Sequence, residues 1–254
     1  MKLGIVTYNI AKDWDIPTII KNCAETGFEG VELRTTHGHG VELSLSKSQR
    51  GEVRKRFADS PVSLAGLGST YEYHSADRDE VRKNIEGTKE YVKLAADVGS
   101  PGVKVRPNGV PEGVSLEKTL HQIGTALHEV AAFAQDHGVE IRLEVHGRTT
   151  SEPQNIAAIM EAANHPKAKV CWNSNRTDMS PDGTIKRSFD LLKDKIGLVH
   201  ITEIWNPDYP YRQLFAGLRK IRYGGFTLAE IPESAEPIRL MRYYRALWLE
   251  LQRA

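Results

Sequence analysis

Cysteine is nearly absent from this chain: Cys23 and Cys171 are the only two in 254 residues. One pair makes neither the disulfide framework of a small secreted scaffold nor a cysteine-rich zinc module, and a chain this long can close a core without either. Both fall in apolar segments, where cysteine acts as a small hydrophobe. Long hydrophobic runs are missing as well. No stretch reaches the ~20 apolar residues of a membrane span, and the opening Met1-Lys2-Leu3-Gly4-Ile5-Val6-Thr7-Tyr8 turns polar too early for a signal peptide. The expectation is a soluble cytoplasmic protein with no membrane partner. Excess charge is lacking too: 34 Lys and Arg stand against 33 Asp and Glu, a formal net charge of +1. Such a surface has no general attraction for a polyanion, so a nucleic-acid partner is not expected. Neither G-x-G-x-x-G nor G-x-x-x-x-G-K-[ST] follows the first apolar run, which removes the usual signature of a nucleotide site.

What is present is a regular alternation. Hydrophobic residues make up 40% of the chain and charged residues 26%, the balance of a globular protein with apolar surface enough for a core. Eight short β-branched runs read as strands at 3–8, 30–34, 63–68, 102–107, 141–146, 169–174, 197–203 and 226–232. Each is nearly continuously apolar until its last few positions, as for parallel strands covered on both faces. Helical spacing fills the intervals at about 15–27, 46–59, 76–98, 115–137, 154–165, 185–195 and 209–222, with a last helix near 234–253. Ser46 with Gln49 forms a capping box, Ser115 reads as an N-cap, and Gly27, Gly99 and Gly138 stop three helices. Eight strand–helix units with right-handed crossovers favour closure into one (β/α)8 barrel, expected to span residues 1–254 as a single domain.

In that architecture chemistry sits where the strands end. Strand five ends Leu143-Glu144-Val145-His146-Gly147-Arg148, strand seven carries His200, and strand eight ends Leu228-Ala229-Glu230. Period-two alternation turns Glu144 and His146 to the barrel axis and Leu143 and Val145 to the helices. A lone buried carboxylate is costly to keep ionised, and a divalent cation would offset that cost. Two carboxylates and an imidazole at neighbouring strand ends therefore read as a metal shell, although any one of them alone would pass for a structural ion pair. Strand six adds neutral oxygen donors in Asn173 or Asn175. The mixed oxygen and imidazole set suits Mn2+ first, with Mg2+, Co2+ or Zn2+ as alternatives.

Other strand ends offer Glu32 and Arg34, Tyr71 and His74, and Lys104 and Arg106. Lys104 and Arg106, two apart on an apolar strand, are placed to hold an oxyanion or hydroxyl at the mouth, with His74, His146 and Arg148 as further substrate-binding candidates. His37 and His39 fall in a loop that reads as solvated. The aromatic stripe Tyr243, Tyr244 and Trp248 on the last helix would suit a homodimer, though core packing is the commoner use of such a stripe.

At Leu3-Gly4-Ile5, Gly27-Phe28-Glu29-Gly30-Val31-Glu32 and Tyr223-Gly224-Gly225-Phe226 with Glu230, the chain resembles the xylose isomerase-like TIM barrels, the sugar phosphate isomerase and epimerase superfamily that also includes endonuclease IV. The resemblance covers nearly the whole chain. It implies a metal held by Glu, Asp, His and Glu from strands five to eight, a pattern that lands on Glu144, Asn173, His200 and Glu230, with Asn173 where an Asp is usual. It also implies proton transfer on a small sugar through a metal-stabilised enediolate, with Glu144 and Glu230 as the acid/base pair. The alternatives on the same fold are a lyase or hydratase of 3-keto-sugars or 3-keto-glycosides and a non-catalytic carbohydrate-binding barrel. The extra ligands of an endonuclease IV zinc cluster are mostly missing.

Overall fold

A computed structural model describes residues 1–253. Eight strands alternate with eight helices: β1 Lys2–Val6, β2 Gly30–Arg34, β3 Ser63–Glu72, β4 Gly102–Arg106, β5 Glu140–Glu144, β6 Ala168–Asn173, β7 Ile196–Ile201 and β8 Phe226–Ala229. The helices are α1 Ile16–Thr26, α2 Lys47–Ala58, α3 Arg78–Val98, α4 Leu116–Gln135, α5 Pro153–Ala163, α6 Lys186–Leu192, α7 Tyr211–Lys220 and α8 Pro237–Leu251. Every strand pairs in parallel with the next, and β8 returns to β1 from Lys2 against Phe226 to Ile5 against Ala229, closing the barrel.

Local chemistry sets the helix ends. Asp15 accepts from the Thr18 N–H at the start of α1, the Ser46 and Gln49 side chains form a reciprocal capping box on α2, and Ser115 accepts from the Lys118 N–H on α4. Gly27 and Gly99 close α1 and α3 in the left-handed region. The strand assignments hold in number and order but not in every boundary. β1, β7 and β8 stop at Val6, Ile201 and Ala229, short of the expected ends, where the polar residues Thr7, Thr202 and Glu230 begin the loops. Pairing carries on one residue beyond β8: the Glu230 N–H donates to Ile201 O at 2.9 Å, which fixes where Glu230 leaves the sheet. β3 instead runs on to Glu72.

The main core lies between sheet and helices, around Phe28, Leu94, Ile123, Leu127, Trp172 and Phe215. A small separate cluster, Val6, Ala65, Cys171, Leu198 and Leu228, fills the barrel axis. Both cysteines are free and buried, and burial pushes the Cys23 thiol up to about 12. Polar side chains also line the axis toward the N-terminal ends of the strands. Arg142 donates to Ala65 O at 2.7 Å and pairs with Glu140 at 3.0 Å, so Glu140, Arg142 and Glu144 form the inward row of β5. Among the described residues no helix is long and apolar enough to cross a membrane.

The α8 stripe divides. Tyr244 and Trp248 are buried, donating to Thr202 O at 2.7 Å and Thr227 Oγ1 at 2.9 Å, so they pin the last helix to the barrel. Tyr243 alone is exposed, under the Arg239 guanidinium.

Candidate metal centre and active site

Glu144, His200 and Glu230 converge at the C-terminal mouth. Each offers one ligand atom, and the three atoms lie within 4.8 Å of one another. Glu144 is the last residue of β5, His200 the penultimate residue of β7, and Glu230 the first residue past β8. The imidazole is fully buried. Its Nδ1 faces Glu144 Oε1 at 3.6 Å and Glu230 Oε2 at 3.5 Å, distances that mark electrostatic contact rather than formed hydrogen bonds. Both His200 ring nitrogens are buried without a hydrogen-bond partner. Buried polar atoms are seldom left so, and an imidazole facing carboxylates with both nitrogens unspent fits a divalent cation at Nδ1.

The opposite ring nitrogen meets a group that the sequence reading named only as a strand end. Glu32, in the middle of β2, is 0% exposed, and its Oε1 lies 3.4 Å from His200 Nε2. Two features of β3 make space for it. The ladder between β2 and β3 slips by one residue, pairing Val31 with Leu64 but Glu32 with Gly66, so that Ala65 bulges. Gly66 and Gly68 then flank the carboxylate, and a Cβ on Gly68 would come within 3.0 Å of Glu32 Oε1. The signal for Glu32 was present in the sequence: it is the one charged residue inside the apolar stretch Gly30-Val31-Glu32-Leu33.

Lys104 lines the mouth, as expected, but its charge is paired there. It is 5% exposed, and its Nζ donates to Glu144 Oε2 at 2.6 Å, so its charge is committed to a carboxylate of the donor set rather than held free for substrate. Burial opposes both charges, but for Glu144 the Lys104 ammonium and His200 outweigh it and hold the carboxyl well below its ordinary range. For Lys104, Glu144 first and then Glu32 and Glu230 reverse the effect of burial and hold the ammonium above its ordinary range. Burial likewise lowers the basicity of His200, and the surrounding groups, Cys171 and Glu32 foremost, reverse it to a value well above the ordinary one. Glu230 is held low: burial raises it, and His200 more than compensates.

A cavity of about 450 Å3 opens above this cluster, lined by Tyr8, Arg34, Lys104, Arg106, Glu144, His146, Asn173, Ser174, Asn175, Thr202 and Glu230. It brings together Lys104, Arg106, His146, Asn173 and the carboxylates Glu144 and Glu230, all of them expected at the mouth. Asn173 is buried, with its amide nitrogen 3.4 Å from Glu144 Oε1. Asn175 spends its own on Val145 O at 2.6 Å. Arg106 leans on Glu72 at 3.6 Å. His74 and Arg148 are not in this cavity. They line a neighbouring recess of about 680 Å3 with Asn108, Gly109 and Thr149. The His37 and His39 loop is not solvated throughout: His39 is buried and hydrogen-bonded at both ring nitrogens, to Arg34 O and to the Val41 N–H, while His37 Nδ1 meets Thr7 Oγ1 at 2.9 Å. Four non-glycine residues with left-handed backbone, Asn9, Thr36, Asn108 and Thr149, all lie in loops that follow strands at this face.

Eight parallel strands closed on themselves, with acidic and imidazole donors at the carboxyl ends of β5, β7 and β8, define the chain as a (β/α)8 barrel with a polar site at its C-terminal mouth. More narrowly, the model of the xylose isomerase-like TIM barrel family matches residues 20–247, and the chain belongs to that family. It is 23% identical over 205 residues to the 3-dehydroshikimate dehydratase of Pseudomonas putida, which covers 80% of this chain. The chain spans 31% of that protein's length. Its fold matches the apo crystal structure of 3-keto-D-glucoside 4-epimerase from E. coli at a TM-score of 0.80 and 17% identity, covering 98% of this chain and 99% of that one. It also matches a structure of the IOLI protein with a bound zinc atom at a TM-score of 0.81 and 15% identity, over 99% and 98% of the two chains. These likenesses establish the fold.

Proposed function

We propose that this chain is a divalent-metal-dependent isomerase or epimerase of a small keto- or aldo-sugar. The observation that carries the reading is the convergence of Glu144 and Glu230 on Nδ1 of a buried His200 whose ring nitrogens have no other partner. Glu144, His200 and Glu230 would hold the ion, with Asn173 adjacent, Mn2+ the first choice and Mg2+, Co2+ or Zn2+ the alternatives. When bound, it would polarise a carbonyl and acidify the hydroxyl-bearing carbon beside it.

The chain's own residues do the rest. Glu230 is the less buried of the two carboxylates and takes the proton from carbon. Glu144 and Lys104, 2.6 Å apart, hold the proton that returns to it. Arg34, Arg106 and His146 line the same cavity and bind hydroxyls, while Tyr8 offers an aromatic face to the sugar ring. His74 and Arg148 would meet only the far end of a longer substrate. Neither a nucleic acid nor a membrane is proposed as a partner, and the cytoplasm is the proposed setting.

One observation favours a second reading. Because Glu144 is tied to Lys104, Glu230 is the carboxylate lining the cavity that no ammonium holds, and elimination from a 3-keto-sugar or 3-keto-glycoside needs only one base and an acid at the leaving group. The likeness to a dehydratase points the same way. Incubating the Mn2+-loaded protein in D2O with aldoses, ketoses and 3-keto-glycosides separates the two. Deuterium uptake at a stereocentre without new ultraviolet absorbance supports epimerisation, and a conjugated enone supports elimination. No exchange and no product with any of them would remove the catalytic reading.

A further inference from the structure

Two residues at the candidate metal centre act against tight cation binding. The first is Lys104. Glu144 divides its two oxygens: Oε2 receives the Lys104 ammonium at 2.6 Å, while Oε1 faces His200 Nδ1 at 3.6 Å. A fixed positive charge therefore shares a carboxylate with the position a divalent ion would take, in a buried site where charges act strongly on one another. The second is Asn173. It is buried at the end of β6, carries no charge, and directs its amide N–H toward Glu144 Oε1, the same oxygen that faces His200. A donor aimed at that oxygen competes with a cation for its lone pairs. Together these residues supply a built-in counter-cation and leave the donor set with two carboxylates and one imidazole.

We propose that Lys104 and Asn173 make this a weak, exchangeable metal centre, with Lys104 standing in as resident counter-cation whenever the ion has left. The inference rests on the reading of Glu144, His200 and Glu230 as the donor set. It gives the buried Glu144 carboxylate a balancing charge from within the chain. Lys104 compensates Glu144 directly, ammonium against carboxylate at 2.6 Å with both side chains buried. It also assigns Lys104 a positioning role, since its grip on Oε2 leaves Oε1 as the single oxygen of Glu144 turned to the imidazole.

The test is Mn2+ titration of the chelator-stripped, full-length protein by calorimetry, with thermal unfolding followed with and without Mn2+. Asn173→Asp restores a charged ligand and is expected to tighten Mn2+ binding by about tenfold or more. Lys104→Met removes the competing charge and is expected to tighten it by a similar factor, to lower the melting temperature of the metal-free protein, and to enlarge the rise in melting temperature on adding Mn2+. Affinities in Asn173→Asp and Lys104→Met no tighter than the unaltered protein's overturn the proposal. If the unaltered protein already binds Mn2+ tightly and Glu144→Gln abolishes that binding, the donor set stands and only the weakening role is lost. If the unaltered protein, Asn173→Asp and Lys104→Met all take up no Mn2+, the donor set falls with it. Should Lys104→Met fail to fold, Asn173→Asp decides alone.

Discussion

Glu32 Oε1 and His200 Nε2 lie 3.4 Å apart on the edge of the imidazole opposite the one that meets Glu144 and Glu230. A carboxylate beside the far nitrogen fixes which nitrogen carries the proton, directs Nδ1 at the cation position and makes it a stronger donor. Glu32→Gln keeps the shape and removes the charge. It is expected to weaken Mn2+ binding by about ten- to a hundredfold while the barrel stays folded, as judged by calorimetry and circular dichroism. Unchanged affinity would show that Glu32 only fills space.

Glu144→Gln and Glu230→Gln are each expected to lower kcat by about 10^2- to 10^4-fold, the usual contribution of a placed acid or base. The circular dichroism spectrum should be retained. Near-normal turnover in both would remove the proposed chemistry. A loss confined to Glu230→Gln would favour the single-base elimination.

Gly68→Ala tests how Glu32 is accommodated. The added Cβ would lie 3.0 Å from Glu32 Oε1 and 3.4 Å from the Arg34 Cα, in a sheet interior that cannot easily move. Overpacking of this kind costs about 1–3 kcal/mol, measurable by urea unfolding, and displacing the carboxylate should weaken Mn2+ binding alongside. A stable variant with unaltered Mn2+ affinity would mean that Glu32 has room to move and does not set the metal position.

Asp178 gives a pH dependence away from the metal position. It is buried, accepts from the Asn175 N–H at 2.9 Å and from the Tyr209 hydroxyl at 2.8 Å, and leaves its other oxygen without a partner. Burial pushes its carboxyl up to about 7, the two hydrogen bonds opposing and the Glu152 charge adding. An acid whose folded value exceeds its ordinary 3.8 binds protons more tightly when folded, so folding loses stability as pH rises from about 4 to about 7 and levels off above. Asp178→Asn keeps an acceptor and removes the charge. Its stability gain over the unaltered protein should be absent near pH 4, grow through that window, and reach a few kcal/mol by pH 8. Urea unfolding at three pH values decides it, and a gain independent of pH would contradict the account.

Much of the site was legible because strand periodicity has a short memory. Glu144 could be placed inward from its apolar neighbours Leu143 and Val145, and both are fully buried on the helix side. Glu230 was placed at the end of strand eight, although the ladder ends one residue earlier, since a single hydrogen bond to Ile201 O holds it in line. The reading was weaker where a side chain's role depends on another strand. Lys104 looked like a free cation for substrate because nothing local to β4 reveals Glu144 beside it, 40 residues further along the chain. His39 looked solvated because its partners, Arg34 O and the Val41 N–H, depend on how the loop folds back.

By themselves, the residues determined eight strand–helix repeats, their caps, and which strand ends carry carboxylates and imidazole, all set by spacing along one segment. Only closure of the barrel decided that His200 stands between Glu32 on one side and Glu144 with Glu230 on the other, and that Lys104 is tied to Glu144. The physical reason is that ion pairing falls off with distance through space, and distance between strands is fixed by sheet register and by a one-residue bulge at Ala65, neither of which leaves a mark on any single strand's pattern.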